Sequence, residues 1–183
     1  IRDRNKAIES AAKVVKWSVR NNRLVPNAME PRSALAEYDS LDESYTLHTT
    51  SQNPHLTRLV LAAFMFAIPE SKLRVIAPDV GGGFGSKIYV YIEEAVCVWA
   101  SKKIGRPVKW TADRTQAFLT DCHGRDHVND VQLALDDNNK IIGLRVDTVC
   151  NLGAYLSAFS VVVPTILHGT LSVSYTHLTL PTI

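Results

Sequence analysis

Leu73-Arg74-Val75-Ile76-Ala77-Pro78-Asp79-Val80-Gly81-Gly82-Gly83-Phe84-Gly85-Ser86-Lys87 is the stretch whose reading decides the fold. The apolar run from Leu73 to Ala77 predicts a strand, and Ile88 to Lys103 carries a helical pattern. Four of the five positions from Gly81 to Gly85 are glycine, so the connection between them is almost bare of side chains. Such a turn takes φ > 0 and brings its N–H groups close to a ligand. At the mouth of a helix those N–H groups form a site for an anion or another electron-rich group. Phe84 is the one bulky interruption and can act as a wall. The plain alternative is a glycine turn that lets a strand and a helix pack closely.

Two familiar glycine loops do not fit. A P-loop needs Gly-Lys adjacent and followed by Ser or Thr, whereas Ser86 separates Gly85 from Lys87 and Ile88 follows. The dinucleotide fingerprint needs a glycine three positions after its second, and counting from Gly81 and Gly83 that position is Ser86.

A second turn stands upstream, Thr50-Ser51-Gln52-Asn53-Pro54-His55. Tyr45 to Thr50 predicts a strand with Tyr45, Leu47 and Thr49 on one face. Asn53 is a good N-cap and Pro54 a good first helical residue. Leu56, Leu59, Val60, Ala63 and Phe64 follow at helical spacing. Gln52 therefore sits at a strand-to-helix turn where its amide meets either a ligand or only local backbone groups.

The rest of the chain reads as mixed. Lys6 to Lys16 predicts a helix, with Val14, Val15 and Trp17 shading toward a strand, and Asn21 to Asp39 an extended connection. The helix after the glycine loop is expected to bury Ile92, Ala95, Val96 and Trp99 and to end at Gly105-Arg106-Pro107. Val108 to Asp113 predicts a strand, and Val131 to Leu135 with Ile141 to Cys150 a hairpin around Asp136-Asp137-Asn138-Asn139. The class this implies is α+β, a mixed sheet with strand–helix units.

Composition narrows the function. The 183 residues are 46% hydrophobic and 21% charged with net charge +2, which argues for a globular core and gives no reason to invoke nucleic acid. No apolar stretch reaches spanning length, since Phe64 to Ile68 is cut by Pro69. Three isolated cysteines, Cys97, Cys122 and Cys150, argue against a disulfide framework and against an iron–sulfur cluster held by this chain alone. His123 and His127 have the i, i+4 spacing of a metal pair, but Gly124 between them argues for a loop and for polar packing near Asp121, Arg125 and Asp126. Glu93 and Glu94 are adjacent on a helix, so they do not share a face and suit the positive end of its dipole. Glu30 sits in a proline-flanked segment, either functional or in an ion pair with Arg32 or another basic residue.

Taken in order, Asn27-Ala28-Met29-Glu30-Pro31-Arg32, the Gln52 turn, Ala77 to Lys87, Gly105 to Trp110 with Asp113-Arg114, and Asn151-Leu152-Gly153-Ala154-Tyr155 carry a resemblance. They resemble the molybdenum-binding large subunit of the xanthine dehydrogenase and aldehyde oxidase family, most of all its carbon monoxide dehydrogenase-like branch, over about Asn21 to Leu171. The resemblance implies a molybdenum-dependent oxidoreductase performing two-electron oxidation of a small substrate such as an aldehyde, carbon monoxide or a heterocycle, with oxygen from water. It implies molybdopterin cytosine dinucleotide as the cofactor, with FAD and 2Fe-2S clusters on a medium and a small partner subunit, and a cytoplasmic location.

In the family the glutamine of this turn lies against a ligand of molybdenum, which maps to Gln52. The glycine loop meets the metal's ligand sphere and dithiolene through its backbone, which maps to Gly82, Gly83, Phe84 and Gly85. Neither Gln52 nor Phe84 would ligate the metal by its side chain. Two departures limit the carry-over. Ile88 stands where purine-oxidising relatives have a glutamate, so purine hydroxylation is not expected. The family's general-base glutamate and substrate loop would lie beyond Leu171, so no catalytic residue is assigned here. Residues 1–20 read as the end of a preceding segment or a linker, 21–171 as part of a molybdopterin-binding domain, and 172–183 as a non-native read-through tail. That tail would be poorly ordered, and the apolar stretch Ala158 to Leu167 unusually exposed. The competing function is a non-catalytic nucleotide- or phosphate-binding module using the same loop. Lys87 aimed at the ligand would favour it, whereas a Gln52 side chain converging on the loop favours the molybdenum site.

Overall fold

Ser44–Thr49 alternates buried and half-buried side chains, so Tyr45, Leu47 and Thr49 go to the core and this segment, β3, is one of the two inner strands of its sheet. In the computed structural model, which describes residues 2–156, β3 pairs antiparallel with β2 (Ser33–Asp39) and parallel with β4 (Leu73–Ile76). β5 (Val108–Thr111) adds antiparallel on the far side of β2, giving the order β4-β3-β2-β5. The sheet is mixed, as the sequence predicts.

The parallel β3–β4 pair places the C-terminal ends of both strands, and therefore the Gln52 turn and the glycine loop, at the same end of the sheet. That is where ligands bind in parallel sheets. Between the strands run α2 (Pro54–Leu59), a π-helical stretch Val60–Phe66 and a short 3-10 turn. α3 (Ile92–Ile104) covers β2, and α4 (Arg114–Thr120) follows β5. Ala34, Ala36, Tyr45, Leu47, Leu61, Ala62, Leu73, Ala95, Cys97 and Val98 form the core. All of this lies in one compact unit, Val25–Gly124.

The second unit is built from the segments on either side. β1 (Lys13–Asn21) pairs antiparallel with β6 (His127–Leu135), which pairs antiparallel with β7 (Ile141–Cys150). The β6–β7 hairpin turns where the sequence places it, with Asp136 Oδ1 accepting from Asn138 N and Lys140 N and with Asn139 at φ 61°. α1 (Arg2–Glu9) lies against this sheet, and Gly143 is where they approach, since a Cβ there would be 3.3 Å from Ala7 Cβ. The expectations for Ala158 to Leu167 and for residues 172–183 lie outside the described residues. Among the described residues no helix is long and apolar enough to cross a membrane.

Four expectations need correction. The helix predicted over Lys6 to Lys16 ends at Glu9, and Lys13–Asn21 is strand, because β-branched Val14, Val15 and Val19 pair with β6. The extended connection from Asn21 to Asp39 ends in β2, whose pairing on both sides outweighs the Pro-rich approach. The helix after Pro54 turns π-helical at Val60, so its register slips: Thr57, Leu61 and Ala62 are buried, while Leu59 and Phe64 are exposed.

Lastly, α3 is apolar nearly all round, and tertiary partners choose its buried face. Glu94, Ala95, Cys97, Val98 and Ser101 point in, while Ile92, Val96 and Trp99 are exposed. Glu94 fixes that choice. Its Oε1 accepts from Thr49 Oγ1 at 2.6 Å, and its Oε2 accepts the Tyr91 N–H at 3.0 Å as half of a capping box.

Candidate functional site

The Gln52 turn builds itself from short side chains. Asn53 N donates to Ser51 Oγ at 3.0 Å, and Ser51 Oγ lies 3.2 Å from Thr57 Oγ1, which donates to Asn53 O. The expected side-chain cap by Asn53 is not made, because Ser51 does the local bonding instead and Pro54 starts the helix. Thr50 N and Oγ1 bind Ser33 O and N, tying the turn to β2. Gln52 itself is left at the exposed tip.

The glycine loop does not open α3 as its sequence predicts. It leads into a single 3-10 turn, Ser86–Ile88, and α3 starts four residues later with Tyr91 as its cap. The loop is shaped by close approach. A Cβ on Gly83 would fall 2.8 Å from Gln52 Cγ and closer still to its carboxamide, and one on Gly81 would collide with the Glu30 side chain. Gly85, with φ +93° and open space around it, is needed for conformation alone. Phe84 adopts φ 50° and is 75% exposed, the outward wall its sequence position implies.

The two turns are joined at Lys87. Gln52 N donates to Lys87 O at 2.9 Å, and Gln52 Oε1 accepts from Gly85 N at 3.0 Å and Lys87 N at 3.2 Å. Two backbone donors fix the carboxamide orientation: the oxygen faces the loop and Nε2 remains a free donor. The N–H groups of Gly83 and Phe84 also find no partner among the described residues. Among the described residues, the free groups beside Gln52 Nε2 are thus amide donors. That suits a ligand carrying diffuse negative charge, held without competition for any metal within it.

Charges stand behind the loop. Lys87 is 2% exposed, and its Nζ donates to Glu30 Oε2 at 2.9 Å, so Glu30 finds its ion pair with Lys87 and not with Arg32. Burial would push the Glu30 carboxyl up, but the Lys87 and Gly81 hydrogen bonds and the Lys87 charge outweigh it and hold it below its ordinary range. Arg32 is buried against Asp121, Glu93 and Thr120, with its guanidinium 3.6 Å from the Tyr91 ring centroid. The Tyr91 hydroxyl donates to Ser86 O at 2.6 Å, and burial first among its causes pushes its pKa up.

Arg114 donates to Asn27 Oδ1 and Met29 O, both at 2.9 Å. His123 Nε2 lies 3.3 Å from Phe118 O, while Asp121 and Asp126 pair elsewhere, with Arg32 and Arg23. No group of His, Cys, Asp or Glu among the described residues is placed to hold a metal ion. The roles of Lys87 and Arg114 escaped the sequence, because Glu30 and Asn27 are distant along the chain.

A mixed sheet with two donor-bearing turns at the ends of adjacent parallel strands has the layout of a ligand-binding domain. Comparison with known proteins says which. The sequence model of the molybdopterin cofactor-binding domain matches residues 2–180. The carbon monoxide dehydrogenase large chain of Hydrogenophaga pseudoflava is 40% identical over 133 residues, 73% of this chain and 16% of that protein. The nicotine 6-hydroxylase large subunit of Paenarthrobacter nicotinovorans is 34% identical, over 84% of this chain and 19% of its own length. Quinoline 2-oxidoreductase from Pseudomonas putida 86 superposes with a TM-score of 0.75 at 35% identity, over 84% of this chain and 19% of that one. This chain belongs to the molybdopterin cofactor-binding domain family. It spans less than a fifth of the length of these relatives.

Proposed function

We propose that the chain forms the molybdenum-facing wall of an oxidoreductase large subunit, with Gln52, Gly82, Gly83, Phe84 and Gly85 against the cofactor. The carrying observation is the Gln52 bridge: Oε1 is spent on Gly85 N and Lys87 N, which leaves Nε2 as a donor beside the unpartnered amides of Gly83 and Phe84. These donors fit the charged ligand atoms of a molybdenum pterin, and a side chain at Gly83 would fill their cradle.

When bound, that cofactor would supply two-electron redox chemistry on a small substrate such as an aldehyde, carbon monoxide or a heterocycle, with oxygen from water. The residues here would orient it and favour its more reduced, more negative state, because the donors are preorganised and need not rearrange. Purine substrates are disfavoured, since Ile88 offers neither proton nor hydrogen bond. The cytosine dinucleotide form of the pterin, electron transfer to 2Fe-2S and FAD subunits, and a cytoplasmic setting belong to the same reading. The competing phosphate-binding role loses support because Lys87 points to Glu30.

The test is pterin and molybdenum content of a large subunit carrying this chain, purified from a host that makes the cofactor. Gln52→Ala should lower both well below the unsubstituted level. Unchanged content in that variant would refute the assignment.

A further inference from the structure

Glu30 is the motif residue that cofactor contact does not absorb. It binds the glycine loop at both ends. Its Oε2 accepts from Gly81 N at 2.7 Å and from Lys87 Nζ at 2.9 Å, and its own N–H donates to Gly81 O at 3.2 Å. The residues between those two attachments, Gly82 to Ser86, include three glycines, with Gly82, Phe84 and Gly85 at positive φ, so the backbone has wide conformational freedom of its own.

Lys87 is the joint. Its backbone N–H and C=O are bound by Gln52 and its ammonium by Glu30, so the carboxylate and the carboxamide hold one residue from two sides. The fit at Gly81 is equally close, since any Cβ there would collide with Glu30 Cβ. Glu30 is itself anchored, because Arg114 grips Asn27 and Met29 before it and Arg32 is locked to Asp121 and Glu93 after it.

We infer that Glu30 is a positioning residue, a staple that closes the glycine loop and keeps the Gly83 and Phe84 amides in register with Gln52. Its effect on the cofactor rests on the function proposed above; its effect on the loop does not. With Oε2 committed to two donors, Glu30 is suited to holding and not to proton transfer. Removing the carboxylate would leave the Lys87 ammonium buried without a counter-charge, and the lysine would leave its place. The 85–87 half of the loop would follow, because Lys87 carries the bond to Gln52.

Amide hydrogen exchange on the 183-residue chain reads this without cofactor or activity. Glu30→Gln keeps an acceptor for Gly81 and loses the charge, while Glu30→Ala loses both. Exchange at Gly81 and Gly85 to Lys87 should speed up in the order wild type, Glu30→Gln, Glu30→Ala, by about tenfold or more in the last. Tyr45 to Thr49 amides should stay protected. Should Glu30→Ala unfold the sheet, Glu30→Gln and Lys87→Met carry the test, each expected to loosen Gly85 to Lys87 while β3 stays protected. Loop exchange at the wild-type rate in Glu30→Gln and Lys87→Met would overturn the staple. Pterin content separates the two claims. If Gln52→Ala retains pterin while Glu30→Gln still loosens the loop, the cofactor assignment falls and the staple stands.

Discussion

The Gln52 turn and the glycine loop close adjacent parallel strands, yet they are held in opposite ways. Within residues 50 to 57, Ser51, Asn53 and Thr57 bond one another a few positions apart, while Thr50 ties the turn to Ser33 and Gln52 N to Lys87 O. The glycine loop has local bonds from Gly82 N to Val80 O, from Ser86 N and Oγ to Gly83 O and from Tyr91 to Ser86 O, but Glu30 and Gln52, which fix its two ends, come from far along the chain. A turn braced by its own side chains keeps its shape with less help from elsewhere. A borrowed one keeps it only while its distant partners are in place, which makes the loop sensitive to changes far away in sequence.

The largest expected effect tests whether those partners share one anchor. Arg32 is 4% exposed, with ion pairs to Glu93 and Asp121 and two aromatic rings near its guanidinium. Arg32→Ala should cost about 3–5 kcal/mol of global stability, because it strands two partly buried carboxylates. Chemical denaturation measures it; a cost under about 1 kcal/mol would mean the Glu30 segment is held elsewhere.

Gly83→Val comes next. Its side chain must displace Gln52, at about 1–3 kcal/mol, and should release Gly85 and Lys87 amides to exchange while β3 stays protected. If those two amides kept their protection, the close approach of the two turns would be wrong. Ser51→Ala probes the locally braced turn and should cost about 0.5–1.5 kcal/mol; its long contact to Lys87 O goes too, but Gln52 N still holds that carbonyl, so the Gly85 and Lys87 amides should stay protected.

The comparison also explains what the sequence revealed. Strand β3 was legible because its alternation is local, and so were the β6–β7 hairpin, whose turn is built by Asp136, and the placement of Gln52 and the glycines side by side. Features set by distant partners were not. The buried face of α3 is one: Ile92, Val96 and Trp99 read as core, but Thr49 draws Glu94 inward and rotates them out. The π-helical slip after Leu59 and the strand hidden in residues 33–39 are others, since propensity yields there to packing and pairing.

Two smaller effects follow from α3. Burial pushes the Glu94 carboxyl above its ordinary value of 4.5, against the opposing pull of Thr49, Tyr91 and Arg32. The folded chain therefore keeps a proton that the unfolded chain has lost. Stability tied to Glu94 is complete below the ordinary value and drains away as pH rises through the folded one. Glu94→Gln should flatten that slope in denaturation curves taken from about pH 4.5 upward; an unaltered slope would assign it to another group. Trp99→Ala should change the stability of this chain by only about 0.5 kcal/mol, because the ring is 57% exposed. A loss of several kcal/mol would return Trp99 to the core.

The central claim is that Gln52 faces two ways, with its oxygen to the loop and its NH2 to the cofactor. Gln52→Glu separates the two roles, since it keeps an acceptor for Gly85 and Lys87 and removes the donor. The measurement is paired: amide exchange at Gly85 and Lys87 in the chain, and molybdenum with pterin content in the large subunit that carries it. Protected amides with cofactor content reduced at least about tenfold is the predicted result, because a lost donor and an added negative charge both oppose an anionic ligand. Protected amides with full cofactor content would contradict it.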